Sequence, residues 1–107
     1  MEISVPLQLS VGAHTYKVMF NQIVYDDGHD ATVSHKLQEI WIAPDMPDSR
    51  KVVSLIHEFL HVVCNVQRVE RIDENDMDRI SEGLASLFAQ LGITLDWSNV
   101  PTLEVKR

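Results

Sequence analysis

Two histidines four residues apart constrain this chain more than any other feature. The segment His57-Glu58-Phe59-Leu60-His61 has the pattern H-E-x-x-H and lies inside an apolar run with helical spacing, Val52 to Val66. Residues four apart share one face of a helix, about one turn from each other. The two imidazoles can therefore reach one metal ion. Glu58 lies about 100° around the helix, close enough to act on a water molecule at that ion.

Zinc suits a site of this kind because it takes imidazole ligands in tetrahedral geometry. A catalytic zinc ion keeps one position open for water and lowers the pKa of that water to about 7. Glu58 would then act as general base and later as proton donor. The alternative interpretation is an amphipathic helix whose polar edge carries His57, Glu58 and His61 without any metal.

The rest of the chain predicts a sheet followed by two helices. Alternating apolar residues indicate strands at Ile3 to Val11, at Tyr16 to Phe20 and at a segment ending with Ile40 to Ile42, with a turn at Asp26 to Gly28. Asp48 or Ser49 can cap the first helix. The second helix is predicted from about Glu74 to Leu91, before Gly92. We expect a single α+β domain over residues 1–107, with a small N-terminal antiparallel or mixed β-sheet packed against a two-helix core.

Two histidines leave a metal ion short of ligands, and the second helix offers three acids on one stripe, Glu74, Asp78 and Glu82. If the first helix ends near Gln67 and the second begins near Glu74, the pair folds back as a hairpin. His61 then faces the region of Glu82, which makes Glu82 the favoured third ligand. Glu74 and Asp78 remain open as alternatives, and all three can also form a solvated acidic face.

The same stripe ends in small residues, Ala85 and Ala89, which we expect to let the two helices approach closely. The opposite face of the second helix is apolar and is expected to pack inward. It consists of Met77, Ile80, Leu84, Leu87, Phe88 and Leu91.

Composition narrows the class of protein. The net charge is −7, and no cluster of Lys and Arg is longer than a pair, so direct binding of nucleic acid is not expected. No segment is long and apolar enough to span a bilayer, and no signal peptide pattern is present at the N-terminus. The single cysteine excludes an internal disulfide and is typical of a reducing compartment. We therefore expect a cytoplasmic protein with no membrane partner.

A family resemblance follows from the two helices together. His57-Glu58-x-x-His61, followed by Glu82-x-x-Ala85-x-x-Phe88-Ala89-x-Leu91, resembles the ImmA/IrrE-like zincin metallopeptidases, whose second helix reads E-x-x-A-x-x-F-A-x-x-L. The likeness covers about residues 40 to 91, and the short form looks like small proteins often found in phages and prophages. An alternative register places Glu74, Met77, Ile80, Ser81 and Leu84 on the same pattern.

The resemblance implies a zincin-like core with zinc held by His57, His61 and an acid of the second helix, and with Glu58 as the base. The chain departs from the family at Phe59, where a small residue is usual, and at Ser86, which follows Ala85 where the family has asparagine.

Two functions are compatible with these residues. The first is a zinc-dependent metallopeptidase that hydrolyses a peptide bond in a protein or peptide substrate. If the strand Ile40 to Ile42 lies at the sheet edge, its free backbone groups could pair with that substrate. The second is a non-catalytic, metal-binding accessory or regulatory protein that acts through protein–protein contact.

Overall fold

The computed structural model describes residues 1–26, 28–70 and 72–103. Asp27, in the predicted turn, therefore lies outside the described residues. The strands are β1 (Glu2–Ser4), β2 (Gln8–Val11), β3 (His14–Asn21), β4 (Ala31–Ser34), β5 (Glu39–Ile42), β6 (Thr94–Asp96) and β7 (Thr102–Leu103). The helices are α1 (Gln22–Asp26), α2 (Asp48–Gln67) and α3 (Glu74–Gln90).

The main sheet is mixed and has the strand order β2-β3-β5-β4, with β7 pairing with the end of β3. β3 runs antiparallel to β2 and parallel to β5, and β4 runs antiparallel to β5. A second, two-stranded parallel sheet joins β1 to β6. The strand Ile40 to Ile42 is therefore interior, and β4 is the edge strand on that side of the main sheet. Sequence alone does not decide this order because strand periodicity carries no information about neighbours.

The core lies between the sheet and α2. Tyr16, Val18 and Phe20 alternate along β3 and are buried, together with Ile40 and Ile42 of β5. This period of two places one face of each strand against the helix. On α2, the buried positions are Ser54, Leu55, Glu58 and Val62, which follow a helical period. The face of α2 that packs on the sheet therefore also carries Glu58 inward.

The first long helix has the predicted extent but not the predicted cap. Pro47 occupies the N-cap position, and no side chain caps α2 by a hydrogen bond. Asp48 instead lies in the first turn, where a negative charge is favourable for the helix dipole, and it pairs with Lys51 at 3.6 Å. α2 ends at Gln67 because Arg68 adopts the left-handed conformation, with φ 54°.

The second long helix starts and stops close to the predicted residues. The Asp73 side chain caps α3 by accepting a hydrogen bond from the Asn75 backbone N–H at 2.8 Å. After α3, Gly92 has φ 74°, and the Ile93 backbone N–H donates to the Phe88 carbonyl, as expected where glycine terminates a helix.

The expectation that the apolar face of α3 packs inward holds only near its start. Met77 is buried, with 1% of its surface exposed, and so is Ser81. Ile80, Leu87 and Leu91 are 43%, 49% and 63% exposed. Full burial on α3 is therefore limited to Met77 and Ser81, while Leu84 and Phe88 are half-buried. Hydrophobic spacing located the apolar face, but it does not show whether another element covers it.

The α+β class predicted from the sequence is confirmed, with a mixed sheet and two long helices. The C-terminal region adds strands β6 and β7, for which the sequence offered no clear pattern. Among the described residues, none of the helices has both the length and the apolar character needed to cross a membrane.

Candidate metal centre

His57, His61 and Glu74 bring three potential ligand atoms together. The Nε2 atoms of His57 and His61 are 3.0 Å apart. The Glu74 carboxylate lies 3.1 Å from His57 Nε2 and 2.9 Å from His61 Nε2. These residues are the group of His, Cys, Asp and Glu side chains, among those described, that could hold a metal ion.

The donor set and spacing of this group fit zinc. Two imidazole nitrogens and one carboxylate oxygen form a ligand set used by catalytic zinc, which leaves the fourth position open. Zinc–ligand bonds of about 2.0–2.2 Å in a tetrahedron place neighbouring ligand atoms about 3.3–3.5 Å apart. The separations of 2.9–3.1 Å are slightly shorter, so small rotations of the side chains would suffice.

Two helices position the three residues. His57 and His61 are one turn apart on α2, as the spacing of the motif predicts. Glu74 is the first residue of α3, directly after the capping residue Asp73. The buried Met77 lies one turn after Glu74 and anchors this end of α3. The site therefore depends on where α3 begins relative to α2.

The structure brings Glu74, rather than Glu82, to the histidines. Both helix ends match the boundaries assumed for a hairpin, but the connection does not turn tightly. The Val69 backbone N–H donates to the Cys64 carbonyl, and Val69 and Ile72 line a small cavity together with Cys64. Because the Glu74 carboxylate lies 2.9 Å from His61 Nε2, α3 begins beside His61 rather than beside the end of α2. His61 meets Glu74, and His57 meets Asp78, four residues further along α3.

Glu82 is consequently near the other end of α2. It lies close to Arg50, whose guanidinium pKa is raised mainly by a hydrogen bond to Asp30 and further by the charge of Glu82. Glu74 also begins the alternative register noted in the sequence, with Met77, Ile80, Ser81 and Leu84. That register was the signal in the sequence that could have identified Glu74.

Asp78 contacts the other nitrogen of the His57 ring. Its Oδ1 lies 2.8 Å from His57 Nδ1. A carboxylate oxygen at this distance can accept a hydrogen bond from Nδ1 when the ring proton is on that nitrogen. Nε2 is turned toward Glu74 and His61 and is then the nitrogen available to a metal ion. Carboxylates bound in this way hold ligand histidines in the required tautomer and orientation. From the sequence, Asp78 was expected to be either a direct ligand or part of a solvated acidic face.

Glu58 is held in a buried environment beside the group. Only 7% of its surface is exposed, and it makes no hydrogen bond or ion pair with the described residues. Burial raises the pKa of Glu58 to about 7, His57 opposes the shift, and Glu74 adds to it. A carboxyl group with this pKa can take up and release a proton near neutral pH, which is what a general base requires.

His61 is kept in the state that binds metals. Burial lowers the pKa of His61, and the charges of His57 and His35 lower it further, while Glu74 acts in the opposite direction. Neutral imidazole is the form that coordinates a metal ion. The lowered pKa therefore favours the ligand form of His61 at neutral pH.

The remaining histidines lie outside the group of three. His35, in the turn between β4 and β5, pairs its Nδ1 with the hydroxyl of the buried Tyr16 at 2.9 Å and lines the small cavity beside His61. His14 pairs with Gln38 at 2.9 Å. His29 lines a different part of the surface, the groove described next. Cys64 is half-buried beside the small cavity.

A large groove opens beside the group of three. Its volume is ≈ 1020 Å³, and His57, Glu58, Glu74 and Asp78 line one part of it. The groove continues along the first half of α2 and the second half of α3 and reaches the start of β4 at Ala31. The buried Glu58 thus faces a space large enough to receive part of another molecule.

In comparisons with known proteins, no family model, no curated protein and no solved structure matches this chain.

Proposed function

We propose that this chain is a zinc-dependent metallopeptidase that hydrolyses peptide bonds in a protein substrate. The main support is the convergence of His57, His61 and Glu74 beside a buried Glu58 that lines an open groove. The resemblance of the H-E-x-x-H helix and its partner helix to the ImmA/IrrE-like zincins adds to this support. The lone cysteine is typical of the reducing cytoplasm, where we place the protein.

Each residue of the site has a distinct part in the proposal. His57, His61 and Glu74 hold the ion, and Asp78 fixes the orientation of the His57 ring through Nδ1. Bound zinc supplies Lewis-acid chemistry, which polarises a carbonyl group and acidifies water. The Glu58 carboxylate takes a proton from the attacking water and passes it to the nitrogen of the leaving amine. Its raised pKa suits both transfers at neutral pH.

The position of β4 supports a peptide as the substrate. β4 forms one edge of the main sheet, and the groove reaches its first residue, Ala31. Free backbone groups of an edge strand can hold an extended peptide by strand addition. We therefore assign to β4 the substrate-pairing role that the sequence had suggested for Ile40 to Ile42.

Cleavage of a peptide library by the zinc-loaded protein tests the proposal, with new termini identified by mass spectrometry. Glu58→Gln is the matched variant because it keeps the size and polarity of the side chain but removes the base. We expect cleavage by the wild type, loss of cleavage on chelation, and no cleavage by a variant that still binds one zinc ion. Equal cleavage by Glu58→Gln, or none by the zinc-loaded wild type, would refute the proposal.

A second candidate function is favoured by the surface of α3. Ile80, Leu87 and Leu91 lie on α3 or at its end and are largely exposed, which is typical of a surface that contacts another protein. A metal-binding accessory or regulatory protein would use such a surface without turnover. Stoichiometric zinc combined with the absence of any cleavage would favour this candidate over the peptidase.

A further inference from the structure

The three residues of the candidate metal centre lie between two spaces on the surface. His57 lines the groove, His61 lines the small cavity, and Glu74 lines both. The cavity has a volume of ≈ 340 Å³, which gives room for several water molecules or for a group of that size on another molecule. Because the two spaces adjoin at Glu74, a molecule that lies in the groove beside Glu58 can place a polar group in the cavity.

His35 lines this cavity from the side of the main sheet. It lies in the turn between β4 and β5 and is exposed there. Burial lowers the pKa of His61 most, and the charge of His35 lowers it further, which indicates that the two rings are close. His35 is therefore beside the centre without belonging to the group of three residues that could hold an ion.

Tyr16 links His35 to the core. Tyr16 is on β3, an interior strand of the main sheet, and only 1% of its surface is exposed. Its hydroxyl lies 2.9 Å from His35 Nδ1, and the two rings meet edge to face with centroids 5.9 Å apart. A side chain in an exposed turn can otherwise change rotamer, so this contact with a core residue holds the imidazole in one orientation.

The hydrogen bond to Tyr16 also favours one tautomer of His35. The Tyr16 hydroxyl has no other hydrogen-bond partner among the described residues. A buried hydroxyl hydrogen without an acceptor is costly, so the arrangement in which the hydroxyl donates and Nδ1 accepts is favoured. The neutral ring then carries its proton on Nε2. Nε2 makes no hydrogen bond within the described part of the chain, so its N–H group remains available to a molecule in the cavity.

We propose that His35 is a further catalytic residue, whose Nε2–H group donates a hydrogen bond to the carbonyl oxygen of the peptide bond that is cleaved, and that Tyr16 is its positioning residue. The inference rests on the proposed peptidase function. As water attacks the carbonyl carbon, Glu58 takes a proton from the water, and the π electrons of the carbonyl group move to its oxygen. The His35 N–H group stabilises this negative charge without giving up its proton. The carbonyl group then re-forms, the C–N bond breaks, and the proton on Glu58 passes to the amine nitrogen.

Steady-state kinetics of four zinc-loaded variants test this role. His35→Ala should lower kcat by about 100–1000-fold and change KM little, because the hydrogen bond strengthens as charge develops on the oxygen. His35→Gln places an amide N–H group near the position of Nε2 and should restore part of the loss. Tyr16→Phe keeps the ring in the core and should lower kcat by about 5–10-fold. His14→Ala is the matched control, since His14 is exposed and does not line the cavity, and it should leave kcat unchanged.

Two measurements without turnover separate this role from a structural one. His35→Ala should bind zinc as tightly as the wild type does, and a large loss of zinc affinity would make His35 a ligand and overturn the proposal. Imidazole ¹⁵N spectra of the metal-free protein report the tautomer of His35. We expect the Nε2–H tautomer in the wild type and a mixture of tautomers in Tyr16→Phe. The Nδ1–H tautomer in the wild type would also overturn the proposal.

Binding of a phosphinic peptide, measured by calorimetry on the zinc-loaded proteins, distinguishes failure of this inference from failure of the peptidase function. Its tetrahedral centre carries an anionic oxygen like the one that forms when water attacks, so His35→Ala should bind it about 100-fold more weakly. Cleavage by the wild type that His35→Ala retains in full would reject the role of His35 and leave the peptidase standing. Absence of cleavage by the wild type would reject the peptidase. Equal binding of the phosphinic peptide by the two proteins would then reject the His35 contact as well, and weaker binding by His35→Ala would support it.

Discussion

Replacing Glu58 by glutamine should stabilise the metal-free protein, and the gain should grow with pH. Burial raises the pKa of Glu58 from 4.5 to about 7 in the folded state. Below pH 4.5 the carboxyl group is protonated in both the folded and the unfolded chain, so it has no effect. Between pH 4.5 and 7 the unfolded chain releases the proton while the folded chain retains it, which favours unfolding. Above pH 7 Glu58 is ionised in both states, and its burial lowers the free energy of unfolding by the full amount.

The magnitude follows from the pKa difference. Each pKa unit corresponds to about 1.4 kcal/mol, so the shift costs about 3 kcal/mol at pH 8 and about 1 kcal/mol at pH 5. Glutamine is neutral in both states and has no such cost. For a domain of this size, about 1 kcal/mol corresponds to about 4 °C in Tm, so Glu58→Gln should raise Tm by about 10 °C at pH 8 and by much less at pH 5.

Thermal unfolding of the chelated wild type and of Glu58→Gln, recorded by circular dichroism at pH 5 and pH 8, measures this effect. Chelation is required because a bound cation would change the electrostatic field at Glu58. Glu82→Gln is the matched control, since it removes an exposed acid from α3 and should leave Tm almost unchanged. A Tm difference between wild type and Glu58→Gln that does not grow with pH would refute the argument that burial destabilises the ionised carboxylate.

The same geometry makes three further predictions. Glu74→Gln should weaken zinc binding by about 100-fold or more, whereas Glu82→Gln should change it little. Competition with a chromophoric chelator measures both affinities. A larger loss in Glu82→Gln than in Glu74→Gln would show that Glu82 is the third ligand. Asp78→Ala should weaken zinc binding by about 10–100-fold and Asp78→Asn by less, because asparagine can still accept the hydrogen bond from the imidazole; equal losses would exclude that role. Met77→Ala should cost about 2–5 kcal/mol of folding free energy in denaturant titrations and also weaken zinc binding, because Met77 anchors α3, while the exposed Leu87→Ala should do neither.

Local geometry explains what could be predicted from the sequence. The turn of a helix places His57 and His61 on one face regardless of the rest of the fold, and the H-E-x-x-H pattern therefore located the two histidines and Glu58. The end of α3 was also predictable, because Gly92 acts on the neighbouring backbone, whereas the predicted capping residues Asp48 and Ser49 do not cap α2. The α+β class followed from the order of the patterns along the chain, since residues with the period of strands come first and residues with the period of helices follow.

Tertiary structure decided which acid meets the histidines. Glu74, Asp78 and Glu82 share one stripe of α3, and which of them meets the histidines depends on where α3 begins relative to α2. Neither helical period nor capping residues specify that relation, which places Glu74 beside His61. Tertiary packing likewise decides that β4 lies at a sheet edge and that the second half of α3 is exposed. The rise and twist of one helix or strand are local properties. Which faces of two elements pack together is set by the side chains that fill the space between them.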